Sequence, residues 1–264
     1  MSTLTDEERE AAARALARAE REARPIAPLR EKWPGLDVED AYAIQQHNVE
    51  DRLARGAAIR GHKVGLSSRV MQEMMGVDEP DFGHLLDDMF VFEEDAIETR
   101  GLCQPRVEVE VAFVLGRGLP GRVCHVGDVL RATEFVLPAI EVIDSRIRDW
   151  DIGLCDTIAD NASSCRVVLG GNPVRLTDLD DLRAVEAKLS LDGVEVACGS
   201  AAAVLGNPAT AVAWLARKLD AFDVRLEEGH VILPGSCTRA FDVAPGTTAR
   251  ADFDRLGPVE IRFG

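Results

Sequence analysis

Residues 105–115 read Pro-Arg-Val-Glu-Val-Glu-Val-Ala-Phe-Val-Leu, and no other stretch limits the possible folds of this chain so strongly. Val107, Val109, Val111 and Phe113 alternate with Glu108, Glu110, Ala112 and Val114, which is the period of two of a β-strand. The segment is otherwise so apolar that cover on both faces is expected. Glu108 and Glu110 therefore project from one face, about 6.5–7 Å apart along the chain. A second apolar strand is expected over Phe135–Ile143, and it also carries a lone acid, Glu141. Buried carboxylates are costly to ionise, and like-charged neighbours raise the cost. Three arrangements relieve it. The strand is half exposed and its acids are solvated; the acids are protonated or paired with arginine; or they share a hard divalent cation, which favours oxygen ligands.

The other acids say less. Against 30 Lys+Arg stand 46 Asp+Glu, a net charge of −16, which argues against nucleic acid and anionic membranes as partners. A hydrophobic fraction of 46% over 264 residues excludes general disorder and suits one large domain. No apolar run approaches the roughly 20 residues of a membrane span. The N-terminus is acidic, unlike an export signal, so a cytoplasmic location is expected. The six scattered cysteines contain no C-x-x-C and are expected to be reduced thiols.

Local patterning predicts a helix over 5–24, with Thr5 and Glu8 as a capping box, and another over 38–55, capped by Asp37 and stopped by Gly56. A strand carrying Lys63 is expected over 57–66 and a short helix over 68–75. Asp192-Gly193 predicts a hairpin turn inside 189–196. A helix over 208–222 starts on Pro208, and strands follow near 229–234, 247–253 and 259–263. The chain thus divides into an N-terminal helical section, 1–60, and a β-rich body, 61–264, within one continuous domain. Gly116-Arg-Gly-Leu-Pro-Gly121 has dinucleotide-fingerprint spacing, but no convincing helix begins there and it reads as a turn.

Five segments together resemble a known family: Gly61-His-Lys-Val-Gly-Leu-Ser-Ser68, Gly76-Val-Asp-Glu-Pro-Asp-Phe-Gly83, Pro105–Phe113, Pro138-Ala-Ile-Glu-Val-Ile-Asp-Ser-Arg-Ile-Arg-Asp-Trp150 and Asp156-Thr-Ile-Ala-Asp-Asn-Ala-Ser163. In this order, from about residue 30 onward, they resemble the hydratase/decarboxylase branch of the fumarylacetoacetate hydrolase superfamily. The hydratases of 2-hydroxypenta-2,4-dienoate are the most similar members. The resemblance implies an α+β fold, a mixed β-sandwich or roll behind an N-terminal helical section, usually in a homo-oligomer. It implies Mg²⁺ or Mn²⁺ on Glu108, Glu110 and Glu141, acid/base roles for Lys63 and Asp81, and substrate contacts from Leu66, Asn161 and Ser163.

The implied reaction is water addition to a 2-hydroxy-2,4-dienoate, through its 2-oxo-3-enoate tautomer, in meta-cleavage degradation of aromatics. A nearby cation and partial burial would both lower the pKa of Lys63. The same branch implies two alternatives, decarboxylation of 2-oxo-3-hexenedioate (4-oxalocrotonate) and hydration of 2-oxohept-3-ene-1,7-dioate. Gly235-Ser-Cys-Thr-Arg239 is similar to the segment of the latter enzymes, with Arg239 suited to a distal carboxylate. Asp81 leans toward a hydratase over a decarboxylase. A non-catalytic partner of another pathway enzyme is the option outside enzymes, and the intact Lys63, Asp81 and glutamates argue against it.

Overall fold

The computed structural model describes residues 3–68, 72–73 and 76–264. Helix α1 (Asp6–Glu22) begins on the expected capping box: the Thr5 hydroxyl accepts from the Glu8 N–H, and the Glu8 carboxylate accepts from the Thr5 N–H. Its buried stripe is Ala12, Ala13, Leu16 and Ala19. After the short α2 (Leu29–Lys32), α3 (Val38–Ala54) starts where the Asp37 side chain accepts from the Asp40 N–H. The helix expected over 68–75 lies largely outside the described residues.

Among the described residues the strands form two sheets. The larger has eight strands. Seven run in the order β2 (Asp81–Leu86), β1 (Ile59–Gly65), β10 (Val231–Leu233), β5 (Pro105–Leu115), β6 (Thr133–Asp144), β7 (Ser164–Leu169) and β3 (Phe90–Val91), and β11 (Phe241–Asp242) pairs with β5. The smaller runs β4 (Ala96–Ile97), β13 (Gly257–Phe263), β12 (Thr248–Phe253), β8 (Glu186–Leu191) and β9 (Val194–Ser200). The β8–β9 turn holds Asp192 and Gly193 at positive φ, as the hairpin signal predicts. Helices α4 (Val126–Ala132), α5 (Leu154–Ala159) and α6 (Pro208–Asp220) are inserted between strands. The Gly116–Gly121 segment enters turns, and no helix starts before Val126, so it is not a dinucleotide loop. No helix among the described residues is long and apolar enough to cross a membrane.

The alternation in β5 is used on both faces. Val107, Val109, Val111 and Phe113 enter the main core, which also takes Leu16 and Tyr42 from the helices and Phe253 and Ile261 from the smaller sheet. On the other face Ala112 joins Leu137, Ala139, Leu85 and Leu233 in a second apolar cluster. Glu108, Glu110 and Glu141 continue that second face past its apolar part. The result is the expected α+β architecture of mixed sheets behind N-terminal helices.

Candidate active site and metal centre

Antiparallel pairing sets Glu108 directly opposite Glu141 in the β5–β6 register, and Glu110 follows two residues along on the same face. One oxygen from each carboxylate lies within 4.8 Å of the other two. Gly235 donates its N–H to Glu110 Oε2 at 2.7 Å. Glu110 Oε1 and both Glu141 oxygens are sealed from solvent and accept no hydrogen bond. Burial is the first cause that raises the Glu141 carboxyl to about 7, with Lys63 opposing it. Burial, then Glu141 and Glu108, push Glu110 well above the usual carboxylate range, and the half-buried Glu108 is raised as well. Orphaned buried oxygens that repel one another are a donor set suited to a hard divalent cation, which this all-oxygen trio fits.

Lys63, on β1, is buried and points to the same place. Its Nζ donates to the Ala162 carbonyl at 3.1 Å and lies 3.5 Å from Glu141 Oε2. Desolvation works to lower this ammonium, but Glu141, Glu108, Asp81 and Glu110 outweigh it, and its pKa is raised. Four acids converge on this one buried ammonium and outweigh the lowering that its burial gives. Asp81 opens β2, one strand away, and is raised above the ordinary carboxylate value by burial despite Lys63.

A cavity of about 460 Å³ opens above these groups. Lys63, Asp81, Glu108, Leu66, Ser163 and Arg239 all line it. Arg239 stacks on the Phe241 ring, 4.0 Å from its centroid, and makes no ion pair with a carboxylate among the described residues. Arg106 lines the same wall, but it is tied to Asp242 at 2.7 Å and stacked on Trp150. Asn161 does not line the cavity. Its side-chain amide accepts from the His84 N–H and donates to the His84 carbonyl, joining its loop to β2.

Asn161, Ala162 and Ser163 are three successive non-glycine residues at positive φ, a conformation that costs about 1–3 kcal/mol each and persists only where its surroundings impose it. Arg146 is that restraint. Its guanidinium donates to the Asp160 carboxylate, the Asp160 carbonyl and the Asp144 and Ser164 carbonyls, all buried. The loop in turn presents the Ala162 carbonyl to Lys63. His62 points to the opposite face of β1, where its ring meets His84 edge-on in a buried aromatic group.

Sequence reading missed three contributors: Gly235, whose amide holds Glu110; Thr157, whose hydroxyl bonds Asp81; and Gly65, where any Cβ would overlap Asp81 Oδ1. All three sit inside segments quoted for the resemblance, but nothing in the local pattern marks which distant side chain each one meets.

Residues 53–263 match the family model described as fumarylacetoacetate (FAA) hydrolase C-terminal. The chain is 43% identical over 260 residues to a 2-keto-4-pentenoate hydratase of Paraburkholderia xenovorans (strain LB400), covering 98% of this chain and 96% of the relative. It is 42% identical over 257 residues to a 2-oxo-hept-4-ene-1,7-dioate hydratase of Escherichia coli, covering 95% and 96%. The structure superposes with a TM-score of 0.96 on 4-oxalocrotonate decarboxylase from Pseudomonas putida G7, complexed with magnesium and adipate, at 35% identity and 100% coverage of both chains. The chain belongs to the fumarylacetoacetate hydrolase family.

Proposed function

We propose that this chain is a divalent-metal-dependent hydratase that converts a 2-hydroxy-2,4-dienoate into a 4-hydroxy-2-oxo acid, in the degradation of aromatic compounds. The observation that carries the reading is the Glu108–Glu110–Glu141 trio, two of its members buried, beside Lys63 and under a cavity that Glu108 and Asp81 line. Glu108, Glu110 and Glu141 would hold Mg²⁺ or Mn²⁺, which supplies Lewis-acid stabilisation for charge developing on the oxygens of a 2-oxo acid. The chain's own residues do the rest. Ser163 and Leu66 shape the pocket around the substrate, and Asn161 holds the loop that carries Ser163. Lys63 and Asp81 are placed to move protons along the conjugated chain. The dienol loses its O–H proton and gains one at the far carbon, giving the 2-oxo-3-enoate. Water then supplies hydroxyl to C4 and a proton to C3. The two hydratase relatives, each over 40% identical, support this chemistry over decarboxylation.

A second reading is a longer, dicarboxylate substrate, and Arg239 favours it: this guanidinium faces the cavity without an acidic partner among the described residues. We further infer a homo-oligomer in the cytoplasm, the usual state implied by the resemblance. The deciding experiment follows loss of the dienol's ultraviolet absorbance with and without Mg²⁺ or Mn²⁺, using the five-carbon monoacid and the seven-carbon diacid. A metal-stimulated rate that Glu141→Gln abolishes is expected. Full metal-independent activity in Glu108→Gln or Glu141→Gln would sink the reading, and CO₂ release from the six-carbon diacid would redirect it to a decarboxylase.

A further inference from the structure

Asp81 is held asymmetrically. Its Oδ2 accepts a hydrogen bond from the Thr157 hydroxyl at 3.2 Å, and both side chains are buried. Its Oδ1 is also sealed from solvent, yet it accepts no hydrogen bond from another residue. Gly65 stands against Oδ1 so closely that a Cβ there would overlap it. Thr157 belongs to α5 and Asp81 to β2, so the bond crosses between two elements, and all three residues line the cavity.

The two oxygens of a carboxylate are equivalent in water. A fixed donor on one of them breaks that equivalence, because the bonded oxygen is satisfied and the other is not. Thr157 suits the task, since its hydroxyl donates from α5 across to β2 and so ties the carboxylate to a second element. We propose that Thr157 is a positioning residue that fixes the orientation in which the Asp81 carboxyl exchanges a proton with the substrate chain. The idea rests on the acid/base role given to Asp81 above. The transfer is heterolytic: the proton leaves the Asp81 carboxyl, its bonding pair stays on the carboxylate, and a proton returns to it in the reverse step.

The test compares Thr157→Val, which keeps shape and removes the donor, with Thr157→Ser, which keeps the donor. Steady-state kinetics across pH are measured on the metal-loaded enzyme. The Asp81 carboxyl is followed by ¹³C NMR, assigned through Asp81→Asn. Thr157→Val is expected to lower kcat about tenfold or more, short of the about 100- to 10,000-fold of losing the acid/base group itself. KM should stay within about twofold if Thr157 acts through Asp81 and not on substrate binding. Losing a donor to the charged form raises the carboxyl pKa, so the kinetic limb and the NMR titration of Asp81 both move to higher pH. Thr157→Ser restores both. A wild-type kcat with unmoved titrations in Thr157→Val overturns the proposal, as does a Thr157→Ser variant as impaired as Thr157→Val. Should Thr157→Val not fold, Thr157→Ala against Thr157→Ser makes the same comparison. A wild-type enzyme inert toward the dienoate refutes the functional reading instead, while the NMR comparison still decides the Thr157–Asp81 contact.

Discussion

Two of the candidate side chains are fixed by a close contact with a glycine distant in sequence. Gly65 is the clearest case, because the space a methyl group would need is already held by Asp81 Oδ1. Gly65→Ala must displace that carboxylate. A displacement near 1 Å at a reacting group costs about 100-fold in rate, so kcat of that size or larger should be lost while the urea unfolding transition stays cooperative. Glu110 makes the complementary point. Its Oε2 is committed to the Gly235 N–H, which leaves Oε1 for a cation. Glu110→Gln should therefore weaken Mn²⁺ binding measured by calorimetry, with Mn²⁺ affinity equal to wild type as the contrary result. At this scale the identities of Glu108, Glu110, Glu141, Lys63 and Asp81 were legible, because acids and a lysine inside apolar strands are anomalies against their own neighbours. Gly65, Gly235 and Thr157 were not legible, because their roles exist only against residues far away in sequence.

The decisive element is the loop from Asp160 to Ser164, strained in its backbone and held by Arg146 on one side and β2 on the other. Asn161→Ala removes two hydrogen bonds to the His84 main chain, and the buried groups left unpaired cost about 1–3 kcal/mol each. A drop in unfolding free energy of that order is expected from urea titration. The β1–β2 pair also predicts a pH response. Burial lowers His84 from its ordinary value to about 4, and it lowers His62 as well, with His84 and His230 as further causes. The unfolded chain therefore binds protons that the folded one refuses. Stability is full above the unfolded pKa near 6.5 and is lost as pH falls toward 4, by up to about 3 kcal/mol for His84. Thermal unfolding followed between pH 7 and pH 4 should show this loss, and His84→Phe should flatten it. Helices and hairpins at this scale were read from caps, Pro208 and Asp192-Gly193, which act within a few residues. The left-handed loop has no such local signal, since Asn-Ala-Ser carries no glycine and is held in place by Arg146.

For the whole molecule, the net charge of −16 matters less than where a few acids converge. Three carboxylates, two buried and one half-buried, share a site with a buried lysine, and a bound divalent cation would relieve the repulsion among the carboxylates. A ligand that binds only the folded state stabilises it by about 2.7 kcal/mol at a concentration 100 times its Kd. Mn²⁺ or Mg²⁺ should then raise Tm in differential scanning calorimetry, and Glu108→Gln/Glu141→Gln should abolish the rise. An equal rise in that double variant would place the cation elsewhere.

The sequence by itself determined the alternation of β5, the shared face of Glu108 and Glu110, the capped N-terminal helices and, through its motifs, the family. These follow from backbone geometry and from segments short enough to be read in order. Only the tertiary structure decided that Glu141 stands opposite Glu108, that four acids converge on Lys63, that Asn161 turns to His84 and that Thr157 reaches Asp81. The physical reason is that a local pattern sets which residues share a face. Strand register and the packing of α5 against β2 are set by burying two apolar clusters at once, and the electrostatics of the site is the sum over every charge that this packing brings together.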